Sequence, residues 1–376
     1  MEQEPPRSPR ILPAAEFDAL IRELCQRRYE VIGPRQRDGV LVYDRVTCAD
    51  DLPAGWTDEQ GPAHYRLEPR TDGALFGFSV GPGSCKSFLH PADICLWSAD
   101  RTTDGCRFCP TSTAPPARYA FIGVRPCDLA AILIQDRILL QDRYADPVYA
   151  ARRQDAFIVA VQCTHAAATC FCASTATGPC ASHGFDLALT ELGDAFLAEI
   201  GSTAGAEVLA ALSSAPATEE FIDRARRATA AAAASQTRRV DTIGLRELLQ
   251  DNFDHPQWEE VEKRCLACGN CTMVCPTCVC TTIEDASDLT GTHAERWRRW
   301  DSCFSRDFSY IHGGVVRHST KSRYRQWLTH KLSTWIDQFG VSGCVGCGRC
   351  ITWCPVGIDL TEEVRSIQGA HHHGDS

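Results

Sequence analysis

Two twelve-residue runs, "CLACGNCTMVCP" at 265–276 and "CVGCGRCITWCP" at 344–355, space four cysteines as C-x2-C-x2-C-x3-C and end in proline. An iron–sulfur cube needs four thiolates. A tight loop of this kind supplies three, and the fourth cysteine of the run ligates the cluster of the other copy. The proline ends the loop by fixing φ and withholding an amide donor. The spacing therefore assigns Cys265, Cys268, Cys271 and Cys354 to one [4Fe-4S] cluster, and Cys344, Cys347, Cys350 and Cys275 to a second. Zinc sites usually pair C-x2-C units across a longer gap, so the doubled motif reads as iron. Clusters held by cysteine alone have no open coordination position; their chemistry is the passage of single electrons.

The first half holds a less regular set. "GVRPCDL" puts Cys127 just past one apolar stretch, and "VAVQC" puts Cys163 at the end of another. If those stretches are parallel neighbouring strands, both thiols emerge at the carboxyl edge of a sheet, where α/β proteins place ligands. "CTHAAATCFCASTATGPC" adds Cys170, Cys172 and Cys180 within one loop. Cys127, Cys163, Cys170 and Cys172 are the expected ligands of a third [4Fe-4S] cluster, with Cys180 or His165 as substitute; a zinc ion or no metal are the competing readings.

Other cysteines carry weaker signals. "CPTCVC" places Cys278 and Cys280 directly after Cys275. With Cys303 or His312 they could feed an extra metal, though structural cysteines buried around a cluster are the plainer reading. "GCRFC" is a lone C-x2-C without a partner pair, so Cys106 and Cys109 read as structural, as do Cys85 and Cys95. "GPGSCKSF" lacks the strand–G-x-G-x-x-G–helix context of a dinucleotide site. No P-loop, Ser-His-Asp arrangement or zinc-protease motif is present, and no catalytic residue is assigned.

The elements that must position these groups are partly readable. "EFDALIRELCQRRYEVIG" places Phe17, Leu20, Ile21 and Leu24 on one helical face, with Cys25 at its edge. "GVLVYDRV" reads as a strand. "RYAFIGV", "CDLAAILIQDRILL" and "AFIVAVQC" read as strand, helix and strand, a parallel βαβ unit. Residues 47–117 resist assignment, and 186–235 read as helical, ending in an Ala-rich helical linker. The expected organisation is a disordered tail at 1–15, an α/β domain with a partly parallel sheet at 16–237, an α-rich ferredoxin-like dicluster domain with a long insert at 238–365, and a disordered tail at 366–376.

Bulk properties limit the function classes. The chain has 376 residues, a formal charge of -10, and 44% hydrophobic and 23% charged residues, which favours a soluble protein over generic affinity for nucleic acid or anionic membrane. No uninterrupted apolar stretch nears the roughly 18 residues of a membrane span, and no secretory signal is visible, so a cytoplasmic location is expected. There, 22 cysteines read as metal sites rather than disulfides. Residues 293–331 carry nine Lys or Arg against three Asp or Glu, interleaved with Trp297, Trp300, Tyr324 and Trp327. Beside anionic thiolate clusters this suggests charge compensation and subunit docking rather than a nucleic-acid surface.

Together, "GVRPCDL", "CTHAAATCFCASTATGP", "CGNCTMVCPTCVCTTIED", "RRWDSCFSRDFSYIHGG", "RYRQWLTHKL" and "CVGCGRCITWCPVGI" resemble one family, from about Phe76 to Ile358. It is the β subunit of cytosolic group 3b [NiFe]-hydrogenases, or sulfhydrogenases, which is similar to the A subunit of anaerobic sulfite reductase. The resemblance implies an electron wire between a flavin subunit handling NAD(P)H and the hydrogenase small and large subunits. This chain lacks the nickel-binding cysteine pairs and a flavin fingerprint, so neither nickel nor flavin is expected in it. The alternatives are the same wire in an anaerobic sulfite or polysulfide reductase, a stand-alone iron–sulfur enzyme whose third cluster has an open iron, and a zinc-dependent nucleic-acid-binding module.

Overall fold

The computed structural model describes residues 8–110, 117–141 and 144–371. In chain order the strands of the first half are β1 (Arg10–Pro13), β2 (Glu30–Arg37), β3 (Val40–Arg45), β4 (Trp56–Gly61), β5 (His64–Pro69), β6 (Asp93–Thr102), β7 (Gly105–Pro110), β8 (Tyr119–Val124), β9 (Phe157–Val161), β10 (Leu187–Glu191), β11 (Ala195–Ile200) and β12 (Ala215–Pro216). Eight of them form one sheet in the order β12-β1-β11-β10-β9-β8-β2-β3. Its middle, β10-β9-β8-β2, is parallel, and the flanking pairs are antiparallel. β9, "FIVAV", is buried along its whole length, as a parallel strand covered on both faces must be.

One face is covered by the helix Phe17–Gln26, which buries the expected Phe17, Leu20, Ile21 and Leu24; Cys25 beside them is exposed. The helix Pro126–Leu139 joins β8 to β9 across the other face, with Leu129, Ile132 and Tyr149 in that core. The βαβ unit is present, and it delivers Cys127 and Cys163 just past the carboxyl ends of two adjacent parallel strands.

The structure corrects several boundaries. Residues 10–13, expected in a tail, form β1 between β11 and β12; the short apolar pair Ile11-Leu12 suffices because Leu12 is fully buried. Residues 187–200, read as helical, form the hairpin β10–β11. There tertiary pairing overrides a composition without clear alternation. The Ala-rich helix Glu219–Ala234 is more than a linker, since Ala225 and Ala232 are buried. The last helix, Leu360–His371, runs past the expected tail boundary at 366; residues 372–376 lie outside the described ones.

The two halves also interlock. β13 (Thr281–Ser287) and β14 (His293–Trp300), from the stretch between the two cysteine motifs, join β6 and β7 in a four-stranded sheet ordered β13-β14-β6-β7. The helical core of the second half, around Trp258, Phe304, Trp327 and Leu332, takes in Phe171 from the first. Among the described residues no helix is long and apolar enough to cross a membrane.

Candidate metal centres

Each twin motif folds as a loop capped by a one-turn helix, Asn270–Met273 or Arg349–Thr352, that starts after a left-handed glycine, Gly269 (φ 75°) or Gly348 (φ 77°). In both copies the amide two residues after the first cysteine donates to its sulfur, from Ala267 to Cys265 Sγ and from Gly346 to Cys344 Sγ, each at 3.4 Å. Cys265, Cys268, Cys271 and Cys354 line one hollow of about 460 Å³, with Cys350 at its wall. Burial pushes the Cys271 thiol up, and Cys303, Cys265 and Cys354 add to it. Burial raises Cys350 as well, followed by Cys344, Cys347 and Cys275. The two sets are close neighbours, since Cys350 of one motif also lines the hollow of the other.

Cys275 behaves differently. The neighbouring Cys278 side chain, then the Lys331 charge and the Thr277 hydroxyl, hold Cys275 well below its ordinary range against burial. Lys331 is itself buried; its Nζ lies 3.1 Å from Cys275 Sγ and 3.6 Å from Cys278 Sγ. Burial disfavours that ammonium, but the facing thiols outweigh it and raise its pKa. A second buried lysine, Lys86, reaches the carbonyls of Cys278 (3.1 Å) and Met273 (3.4 Å) and stacks on Trp300. Two buried cations here offset thiolate charge that burial alone would make costly.

At the sheet edge, Cys127, Cys163, Cys170 and Cys172 all line a single hollow of about 320 Å³, with His165 at its wall. Cys180 is exposed and is not among the lining residues. Gln236 reaches in from the end of the Ala-rich helix; its Nε2 donates to Cys172 Sγ at 3.2 Å and its Oε1 accepts from Ala173 N at 3.0 Å. Burial raises Cys170 and Cys172. His165 Nε2 faces no partner, as does the buried Tyr324 hydroxyl beside the Cys265 hollow. Such orphaned polar atoms suit the sulfides of a bound cluster. Among the described residues no three His, Cys, Asp or Glu side chains close on one point as around a single ion. The thiols line hollows instead.

The first-half loop and the second cysteine motif touch directly. Phe171 N donates to Gly346 O at 2.8 Å, Thr177 Oγ1 to Val345 O at 2.7 Å, and the Thr169 and Thr352 hydroxyls lie 3.0 Å apart. A Cβ on Gly346, at φ 59°, would stand 2.6 Å from the Cys172 backbone; only glycine fits both the turn and the approach. Arg349 seals the contact. It meets Asp128, next to Cys127, through paired bonds of 2.7 and 2.9 Å with both side chains 1% exposed, and donates to Gly81 O and Gly83 O.

Comparison with known proteins now bears on this arrangement. Residues 264–358 match the 4Fe-4S dicluster domain. The sulfhydrogenase 2 subunit beta of Pyrococcus furiosus is 34% identical over 341 residues, covering 89% of this chain and 92% of that protein. The chain belongs to the sulfhydrogenase β-subunit family. It is an iron–sulfur electron-transfer protein. No solved structure matches it.

Several residues of this family member's centres escaped the sequence reading. Lys331 had a signal: it sits four residues from both Trp327 and Trp335, a lysine on an otherwise apolar helical stripe. Lys86 and Gln236 had none, because only the fold brings them in. The basic stretch 293–331 is compensated at home: Arg296 pairs with Asp285 at 2.6 Å, Arg299 with Glu284 at 2.7 Å and Arg298 with Asp146. His312 is exposed and is not among the residues that line the hollow of Cys278 and Cys280.

Proposed function

We propose that the chain is the relay subunit of a larger complex, carrying electrons between a flavin subunit that handles NAD(P)H and a [NiFe]-hydrogenase small and large subunit pair. The name of the Pyrococcus furiosus relative supports membership of such an assembly. Three [4Fe-4S] clusters would be held by Cys127, Cys163, Cys170 and Cys172, by Cys344, Cys347, Cys350 and Cys275, and by Cys265, Cys268, Cys271 and Cys354. Bound there, they supply one-electron chemistry. The protein's own part is to hold the thiolates, exclude water and balance charge.

The contact that carries this reading is the packing of Gly346 and Gly348 under the 169–172 loop. It brings the loop of Cys170 and Cys172 against the 344–350 loop, and Cys350 in turn lines the hollow of the Cys265 set, so a row of three clusters would have the 344–350 loop in its middle. The exposed Cys268 then marks one end of the row as the side nearest a partner.

Anaerobic purification from the native host, with metal analysis of all that co-elutes, tests the reading. Nickel and flavin in separate co-eluting subunits are expected; a complex with iron but no nickel would reassign the partner to a sulfite or polysulfide reductase. Cys170→Ser should lower iron by about four per chain, one cluster's worth. Unchanged iron would remove the third site.

A further inference from the structure

The three thiols left over from these sets also share a hollow. Cys278, Cys280 and Cys303 line a cavity of about 490 Å³ together with His330, similar in size to the hollow of the Cys265 set. The stretch between the two motifs builds it. Cys278 and Cys280 lie two apart in chain entering β13, a spacing that puts both side chains on one side of an extended segment. The β13–β14 hairpin then returns the chain in register, Thr281 opposite Trp300. Asp301 N donates to Cys280 O at 2.9 Å, and the Asp301 carboxylate accepts from Ser302 N at 2.6 Å and Ser305 Oγ at 2.7 Å. That turn presents Cys303 beside Cys280.

Two further observations point to an occupant. The helix that starts at Thr320 changes to a π-turn at His330–Thr334 before resuming at Trp335–Phe339. Such turns widen the spiral by one residue and often mark functional sites. Here the turn begins with His330 and Lys331, both lining the cavity. In addition, the indole N–H groups of Trp327 and Trp335, each 4% exposed, have no hydrogen-bond partner, and both rings line this cavity. Buried donors left unpaired are costly, and cluster sulfides accept such hydrogen bonds.

We infer that Cys278, Cys280, Cys303 and His330 hold a fourth four-iron cluster. Three thiolates and an imidazole would also suit zinc, but these side chains border a hollow rather than closing on one point. The site is a branch rather than an extension of the row. Lys331 Nζ bridges Cys275 and Cys278 at 3.1 and 3.6 Å. Trp327 forms a common wall with the hollow of the Cys265 set. The inference goes beyond the relay reading and does not depend on which partner the chain serves.

Iron analysis of the anaerobically prepared full chain tests it. Wild type should carry about sixteen irons, and Cys303→Ser about four fewer, while Cys48→Ser, at a residue that lines none of the cysteine hollows described above, leaves iron unchanged. Cys170→Ser removes a different four, so failure of the third site and of this one are told apart. If Cys303→Ser does not fold, pulsed EPR on the reduced wild-type chain decides. A nitrogen directly bonded to a cluster should be seen, and His330→Cys should erase that coupling while keeping the iron. Wild-type iron in Cys303→Ser, a nitrogen coupling that survives His330→Cys, or one zinc per chain lost with Cys303 would each overturn the assignment.

Discussion

In the loop at 344–350, Gly346 turns with φ 59° beneath the backbone of Cys172, whereas in the loop at 265–271 the equivalent Ala267 turns with φ 52° and carries its methyl group. Cys347 is buried and its counterpart Cys268 is exposed. Val345 is buried, while its counterpart Leu266 is 64% exposed. Arg349 locks one loop to Asp128, and the matching Asn270 makes a single bond to the Trp353 carbonyl. Identical cysteine spacing thus serves two positions, one enclosed by the sheet domain and one open towards solvent. The residues between the cysteines set how far each loop is shielded from solvent.

That contrast can be broken by exchanging the differing residues, and the largest effect is expected at Arg349. Arg349→Met leaves the Asp128 carboxylate buried and unpaired, at a cost of about 3–5 kcal/mol, whereas Asn270→Met removes one ordinary hydrogen bond worth about 1 kcal/mol. Denaturant unfolding of the metal-loaded chain should rank them in that order. Next comes the glycine. Gly346→Ala forces a methyl group against backbone at positive φ and should cost about 3 kcal/mol; Ala267→Gly should stay within about 1 kcal/mol. Equal costs at the two positions would refute the contrast.

The smallest effect is kinetic. Under a chelator, the open set at Cys265, Cys268, Cys271 and Cys354 should release about four irons before the enclosed set does. Losing metal also obliges buried thiolates to take up protons, because burial raises Cys271 and Cys344. Release should therefore quicken as pH falls. Bleaching of the visible absorbance followed at several pH values reads both points, and a single phase covering all iron would erase the distinction.

What the sequence made legible follows from local rules. The helix Phe17–Gln26 shows a clean apolar face, the β8–helix–β9 unit alternates apolar runs with turn residues, and the twin motifs have rigid spacing. Cys127, Cys163, Cys170 and Cys172 could be grouped because parallel strands deliver loops to one edge. What stayed hidden depends on partners distant in the chain. β10 and β11 lack period-two alternation and exist through pairing. β6 finds β14 only in three dimensions. The approach of Gly346 to Cys172, and of His330 to Cys303, leaves no local trace in either segment.

The shared sheet also has a consequence for how the protein is made. Asp100 in β6 and His293 in β14 hydrogen-bond across 193 residues of chain. At about 5–20 residues per second, β6 leaves the ribosome roughly 10–40 s before its partner strand exists. Throughout that interval one edge of the β6–β7 ribbon is unpaired, and such edges recruit foreign strands. Arg101 and Arg107 are exposed on that ribbon, and charged side chains on an edge disfavour such recruitment. The set of Cys265, Cys268, Cys271 and Cys354 is complete only later still, once Cys354 has emerged, so a cluster held there would form after one held by the first-half cysteines.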